Sequence, residues 1–173
     1  MRNKTVVRIL SSEGPAAMLF VRLAVGFVFL ISGAVKFLYE NQGEVRFLKL
    51  GFAAPEATAY FVGGVEIAAG TLLVVGLITR LAAFSLAIDM LVAIFVSKLP
   101  LLFGAGPEPV AAAPKTGLWA FAYVARLDLT MLLLAGFLVV VGAGAVSLDS
   151  WLVKRLTAGQ DDRYDAELPA RAA

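Results

Sequence analysis

Apolar residues in this chain gather into four long runs, at about residues 16–38, 57–77, 81–99 and 119–141, and charged, glycine and proline residues collect between them. Each run is close to the ~20 residues that a helix needs to cross the hydrocarbon core of a bilayer. The pattern predicts an all-α fold, a four-helix transmembrane bundle forming one membrane domain over residues 1–155, followed by a polar tail at 156–173.

The stretches between the runs fix the connections. A mixed loop with Glu40, Asn41, Gln42, Glu44, Arg46 and Lys49 runs to Pro55. The second and third runs meet at Thr79 and Arg80, which predicts a tight hairpin. Pro100 is expected to stop the third helix, and Gly104, Gly106, Pro107, Pro109 and Pro114 break regular structure before Trp119. The basic start, MRNKTVVRIL, resembles that of a signal peptide, but the following run exceeds the 7 to 15 residues of a signal h-region and no clear A-x-A site follows. The first run is therefore expected to stay as an uncleaved span.

Basic residues then suggest an orientation. Arg2, Lys4, Arg8, Arg80, Lys154, Arg155 and Arg163 fall on one side of the bundle, and Lys36, Arg46, Lys49, Lys98 and Lys115 on the other. The positive-inside rule places both termini in the cytoplasm, in a bacterial or archaeal plasma membrane. Aromatic residues such as Phe37, Tyr39, Tyr60, Trp119 and Tyr123 collect at the opposite ends, as an interfacial belt requires.

Composition agrees, with 60% hydrophobic and 16% charged residues and a mean hydropathy of +0.86. A net charge of +2 could suggest nucleic acid, but the basic residues sit at the ends of apolar runs and form no patch, so no nucleic-acid partner is expected. The absence of Cys and His is more informative. It excludes disulfides, thiol chemistry, bis-His haem, Cys-ligated iron–sulfur clusters and most zinc or copper sites. No covalently bound or metal-based cofactor is expected, so a redox role would need a borrowed or diffusible one.

Six ionisable residues lie within or close to the runs: Arg22 and Lys36, Glu66, Asp89, and Arg126 with Asp128. One such residue at a helix centre costs about 2.5 to 3.5 kcal/mol to insert, which favours a buried, mutually compensating network over lipid-facing placements. In the first run Arg22, Gly26, Phe29, Gly33 and Lys36 form one helical stripe; Gly63, Glu66 and Gly70 share a face in the second, and Ser85 and Asp89 in the third. Asp128, Leu132 and Ala135 share a face in the fourth, whereas Arg126 points elsewhere or snorkels. Counting depth by helical rise brings Arg22, Glu66 and Asp89 together, with Glu66 expected to contact Arg22 or to lie within water-bridging reach of it. Lys36, Arg126 and Asp128 are expected to form a second, separate cluster nearer the outer edge. Such a network either fixes helix register or binds a ligand and protons, while the glycines read mainly as close-packing positions.

Three stretches resemble the DoxX family of small four-helix membrane proteins. They are RLAVGFVFLISGAVKF, from Arg22; GFAAPEATAYFVGGVEIAAGTLLVVGLITRLAAFSLAIDMLVAIF, with its Pro, Glu, Gly and Gly-x-x-x-Arg arrangement; and RLDLTMLLLAGFLVVVGAGAVSLDSW, with its Gly-x-Gly-x-x-Ser-Leu-Asp ending. They cover about residues 16–152, and the Pro- and Ala-rich insertion from Gly104 to Lys115 departs from the pattern. The resemblance implies association with membrane oxidoreductase systems such as thiosulfate:quinone oxidoreductase, and matches Arg22, Lys36, Glu66 and Asp128 to the family's intramembrane polar positions.

The expected function is an integral membrane subunit of a quinone-linked oxidoreductase. Glu66 and Asp89 are the candidates for proton handling, and Arg22, Lys36, Arg126 and Asp128 for contacts to a quinone headgroup. A redox partner subunit is then required, because this chain has no conventional redox centre; homo-oligomers are a further expectation. The alternatives are a small proton-coupled transporter and a noncatalytic anchor or assembly subunit.

Overall fold

The computed structural model describes residues 14–105 and 114–155, and the basic N-terminal segment, most of the Gly104–Lys115 insertion and the tail at 156–173 lie outside the described residues. All regular elements among the described residues are helical. In chain order they are α1 (Met18–Leu38), a short α2 (Glu44–Lys49), α3 (Pro55–Val75), α4 (Thr79–Ala93) and α5 (Leu118–Val141). A further helical segment begins at 148. Four helices are long and apolar enough to span a bilayer: Met18–Leu38, Pro55–Val75, Thr79–Phe103 and Leu118–Val141.

The loop after α1 is more ordered than a mixed loop predicts, because α2 places Phe47 inside the protein. Its ends suit the helix dipole, with Glu44 in the first turn and Lys49 in the last. The third span differs more. It does not stop at Pro100 but passes through a π turn at Ile94–Lys98 and a 3-10 turn at Leu99–Phe103. Proline has no N–H to donate, so a regular α-helix through residue 100 would orphan a carbonyl; the change of winding just before it takes the chain onward. Leu99 N–H accordingly donates to Ile94 O, five residues back.

The hairpin between α3 and α4 is as tight as expected. Pro55 sits in the first turn of α3, where its missing N–H costs nothing, and Gly76 ends the helix in the left-handed region, with its N–H on Leu72 O at 2.8 Å. Ile78 follows at φ 43°. A residue 70 positions away holds this turn: the Asp149 carboxylate accepts from Ile78 N at 2.7 Å and Thr79 N at 3.0 Å, and Asp149 N donates to Gly76 O at 2.9 Å. The segment after α5 thus caps the start of α4.

Helix association in a bilayer draws on close packing rather than on water exclusion. The closest packing here is between α1 and α3, which run antiparallel. A Cβ on Gly26 would lie 2.9 Å from Gly70 O, and one on Gly33 would lie 2.7 Å from Gly63 O, so the two backbones touch at two levels. α5 packs mainly on α4, where Ala82, Ala83, Ala125 and Ala135 are buried. Phe29, Leu73, Leu86 and Leu138 fill the common core. Large apolar side chains such as Phe20, Ile31, Leu133 and Val140 face outward, as hydrocarbon contact requires.

Candidate functional site

The α1 stripe read from the sequence is real: Arg22, Gly26, Phe29 and Gly33 are buried, and Lys36 is half-buried at its end. The glycine contacts decide what these charges meet. A Cβ on Gly33 would lie 3.1 Å from Glu66 Cβ, so Glu66 stands against α1 one turn from Lys36. Lys36 Nζ turns back along its helix, donating to Ser32 O at 3.4 Å and forming an ion pair with Glu66. Glu66 is only 2% exposed. Its carboxyl neighbour is Asp89 on α4, which lines the same cavity. Asp89 Oδ2 is buried and has no hydrogen-bond partner among the described residues.

The expected meeting of Arg22 with Glu66 does not occur. Arg22, 1% exposed, packs against Gly76, ten residues along α3 from Glu66 and thus about 15 Å away along the helix. Its Nη1 donates to Ala143 O at 2.8 Å and Val146 O at 2.9 Å. It therefore ties α1 to the segment that carries Asp149, and it lies outside the polar pocket described below.

The expected separate outer cluster also changes. Lys36 belongs with Glu66, since its flexible stem spans a depth difference that backbone rise alone suggested was too large. Asp128 pairs with Lys98 at 3.7 Å, both half-buried. Arg126 is exposed, its guanidinium over the Tyr123 ring and donating to Tyr123 O, which is the outward, snorkelling placement its spacing from Asp128 allowed.

A cavity of about 640 Å³ lies between the helices, toward the Leu38 end of the bundle. Lys36, Glu66, Asp89 and Asp128 all reach it, from α1, α3, α4 and α5. Ser32, Ser85 and Ser97 add hydroxyls, and Gln42 and Arg46 close it at the α2 end. The remaining lining is apolar and includes Ile31, Phe61, Ile88, Val92 and Val96, each also exposed on the outside of the bundle. The cavity therefore has a polar interior and an apolar flank on the lipid-facing side. Sequence reasoning missed Lys98, Arg46 and Ser97. The sequence reading uses Lys98 and Arg46 only as orientation charges, although Lys98 lies within the third apolar run.

Chemically, the pocket offers an ammonium donor at Lys36, carboxyl groups at Glu66 and Asp89 for accepting or releasing protons, and room for a small ring. Among the described residues no group of three or more acidic side chains is arranged to hold a metal ion.

Relatives bear on the same region. The DoxX family model matches residues 17–99, which include Arg22, Lys36, Glu66 and Asp89. An uncharacterized membrane protein of Mycobacterium tuberculosis is 45% identical over 152 residues, 87% of this chain and 90% of its own length. An uncharacterized protein of Haemophilus influenzae is 30% identical over 141 residues, 82% of this chain and 94% of its own. No solved structure matches. Four apolar spans, the family match and near full-length similarity to a membrane protein lead to one conclusion: this chain belongs to the DoxX family of membrane proteins.

Proposed function

We propose that the protein is an integral membrane subunit of a quinone-linked oxidoreductase and that the cavity between α1, α3 and α4 receives the quinone headgroup. The observation that carries this reading is the union of a buried ionic interior, Lys36 with Glu66 and Asp89, and an apolar flank formed by Ile31, Phe61, Ile88, Val92 and Val96. A ligand with a polar ring and an apolar tail matches both. The volume of about 640 Å³ lies within the common range for small-molecule sites.

Lys36 would donate to a ring oxygen, while Glu66 and Asp89 accept or return protons as the ring changes redox state. The bound ring supplies the two-electron chemistry. Electrons must enter or leave through a partner subunit, because the chain has neither Cys nor His to hold a redox centre of its own. Asp128 lines the α5 side of the cavity with Lys98 as its ion-pair partner, and Arg22 and Arg126 act outside it. The orientation that fits the basic residues puts both termini in the cytoplasm of a plasma membrane and the cavity in the opposite half of the bilayer.

The test is purification in mild detergent, organic extraction and identification of bound lipophilic molecules. Quinone at near one per chain is the expected result, with little in Lys36→Met. A wild-type protein that carries none, and takes none from quinone-loaded nanodiscs, overturns the reading and leaves an anchoring role.

A further inference from the structure

Three carboxyl groups from three helices lie along this cavity, and they are not equivalent. Glu66 is neutralised by Lys36. Asp128 has Lys98, at a longer 3.7 Å. Asp89 stands between them, interacting with the Glu66 carboxyl, and its buried Oδ2 receives no donor from the described residues. Two carboxyl groups in contact repel if both are ionised, and a proton held between their oxygens removes the repulsion. The charged groups that face this pair are Lys36 on α1, Arg46 on α2 and Asp128 on α5, and Asp128 in turn pairs with Lys98 at the end of the π turn. Lys36 and Arg46 add positive charge toward the α2 end, where Gln42 and Arg46 close the cavity.

We infer that Glu66 and Asp89 share a proton and exchange it with water at the Leu38 end of the bundle by way of Asp128, with Lys98 restraining that step. This rests on the proposed site but concerns its proton route, which no quinone is needed to observe. The transfer is a proton moving between carboxyl oxygens and water, so no other atom or electron is displaced. Asp128 fits the intermediate position because it lines the same cavity and is half-buried, whereas Glu66 is sealed from water. Toward Arg22 the seam between α1 and α3 is closed, since their backbones touch at Gly26 and Gly70.

The full chain in lipid nanodiscs is mixed with D2O near neutral pH, and the carbonyl stretch of protonated carboxyl groups is followed by rapid-mixing infrared spectroscopy. Wild type should show such a band, absent or altered in Asp89→Asn and in Glu66→Gln, with a shift as deuterium replaces the proton. Asp128→Asn should keep the band but exchange about a hundredfold more slowly, the lower end of what a positioned proton donor contributes. Lys98→Met leaves the Asp128 carboxylate without its partner and should exchange faster than wild type. Absence of the band in wild type overturns the shared proton. Unchanged exchange in Asp128→Asn, or in Lys98→Met should Asp128→Asn not fold, overturns the route. Quinone content measured on the same samples separates either failure from failure of the proposed function.

Discussion

Gly26 and Gly70 meet backbone to backbone, each so placed that a Cβ would lie 2.9 Å from the other's carbonyl oxygen. This contact sets the register of α1 against α3, and with Gly33 and Gly63 it determines that Glu66 faces Lys36 rather than Arg22. Gly26→Ala should therefore destabilise the protein by about 1–3 kcal/mol, the usual cost of overpacking a close contact. Gly64→Ala, on the same α3 helix but with nothing within 4 Å of its added Cβ, should be neutral or gain up to ~1 kcal/mol from the better helix former. Thermal unfolding in matched detergent compares the two; equal effects would show that helix propensity and not interhelical contact governs the first.

Asp149 ties the segment after α5 to the hairpin between α3 and α4. Its carboxylate accepts two backbone N–H groups at the start of α4 while being 2% exposed. Asp149→Ala should cost about 1–3 kcal/mol, since it removes a cap and leaves two donors unsatisfied in a buried place. Asp149→Asn, which keeps one acceptor oxygen, should fall between alanine and wild type. Hydrogen exchange at Ile78 and Thr79 amides checks the location: it should rise in the alanine variant well before exchange in the centre of α1 does.

Much of this was legible in the sequence, for a physical reason. Hydrophobic length and helical stripes depend on residues near one another in the chain, so the four spans, the burial of Arg22 through Gly33 and the outward path of Arg126 could be read directly. Partners could not. Depth alone brought Arg22 to Glu66, but pairing depends on glycine-set helix register and on side-chain reach. Lys98 was hidden for a different reason. Nine residues after Asp89, it would occupy the opposite face of an unbroken α-helix, and the π turn at Ile94–Lys98 alters that phase. The GAGAVSLD segment carries a family resemblance in the sequence, but its physical role, receiving Arg22 and capping α4, depends on tertiary contacts.

Topology offers an independent check. With four spans, the described start of α1 and end of α5 lie on one side, and the proposed orientation, drawn from the positive-inside rule, is that this side is cytoplasmic. Because the chain has no Cys, single cysteines can be introduced without background. Thr116→Cys should react with a membrane-impermeant maleimide in intact cells, and Ser150→Cys only after permeabilisation. The reverse pattern would invert the orientation and move the cavity to the cytoplasmic half.

The last expectation separates the structural from the chemical role of the Lys36–Glu66 pair. Lys36→Met strands a carboxylate that is 2% exposed, and breaking a buried pair from one side costs about 3–5 kcal/mol. Glu66→Gln removes the charge but keeps an oxygen that can accept from Lys36, so its cost should be smaller. The double variant Lys36→Met with Glu66→Leu leaves no stranded charge and should recover most of the stability lost in Lys36→Met, because apolar residues can replace a buried ion pair at little cost. If the pair served folding alone, the recovered protein would also regain wild-type quinone content. The pocket chemistry requires the opposite: the double variant should insert and unfold much as wild type does, yet retain little bound quinone, since the ring-oxygen donor and the proton acceptor are both gone. Recovery of stability together with full quinone content would remove Lys36 and Glu66 from the ligand site and leave them as helix-pairing residues.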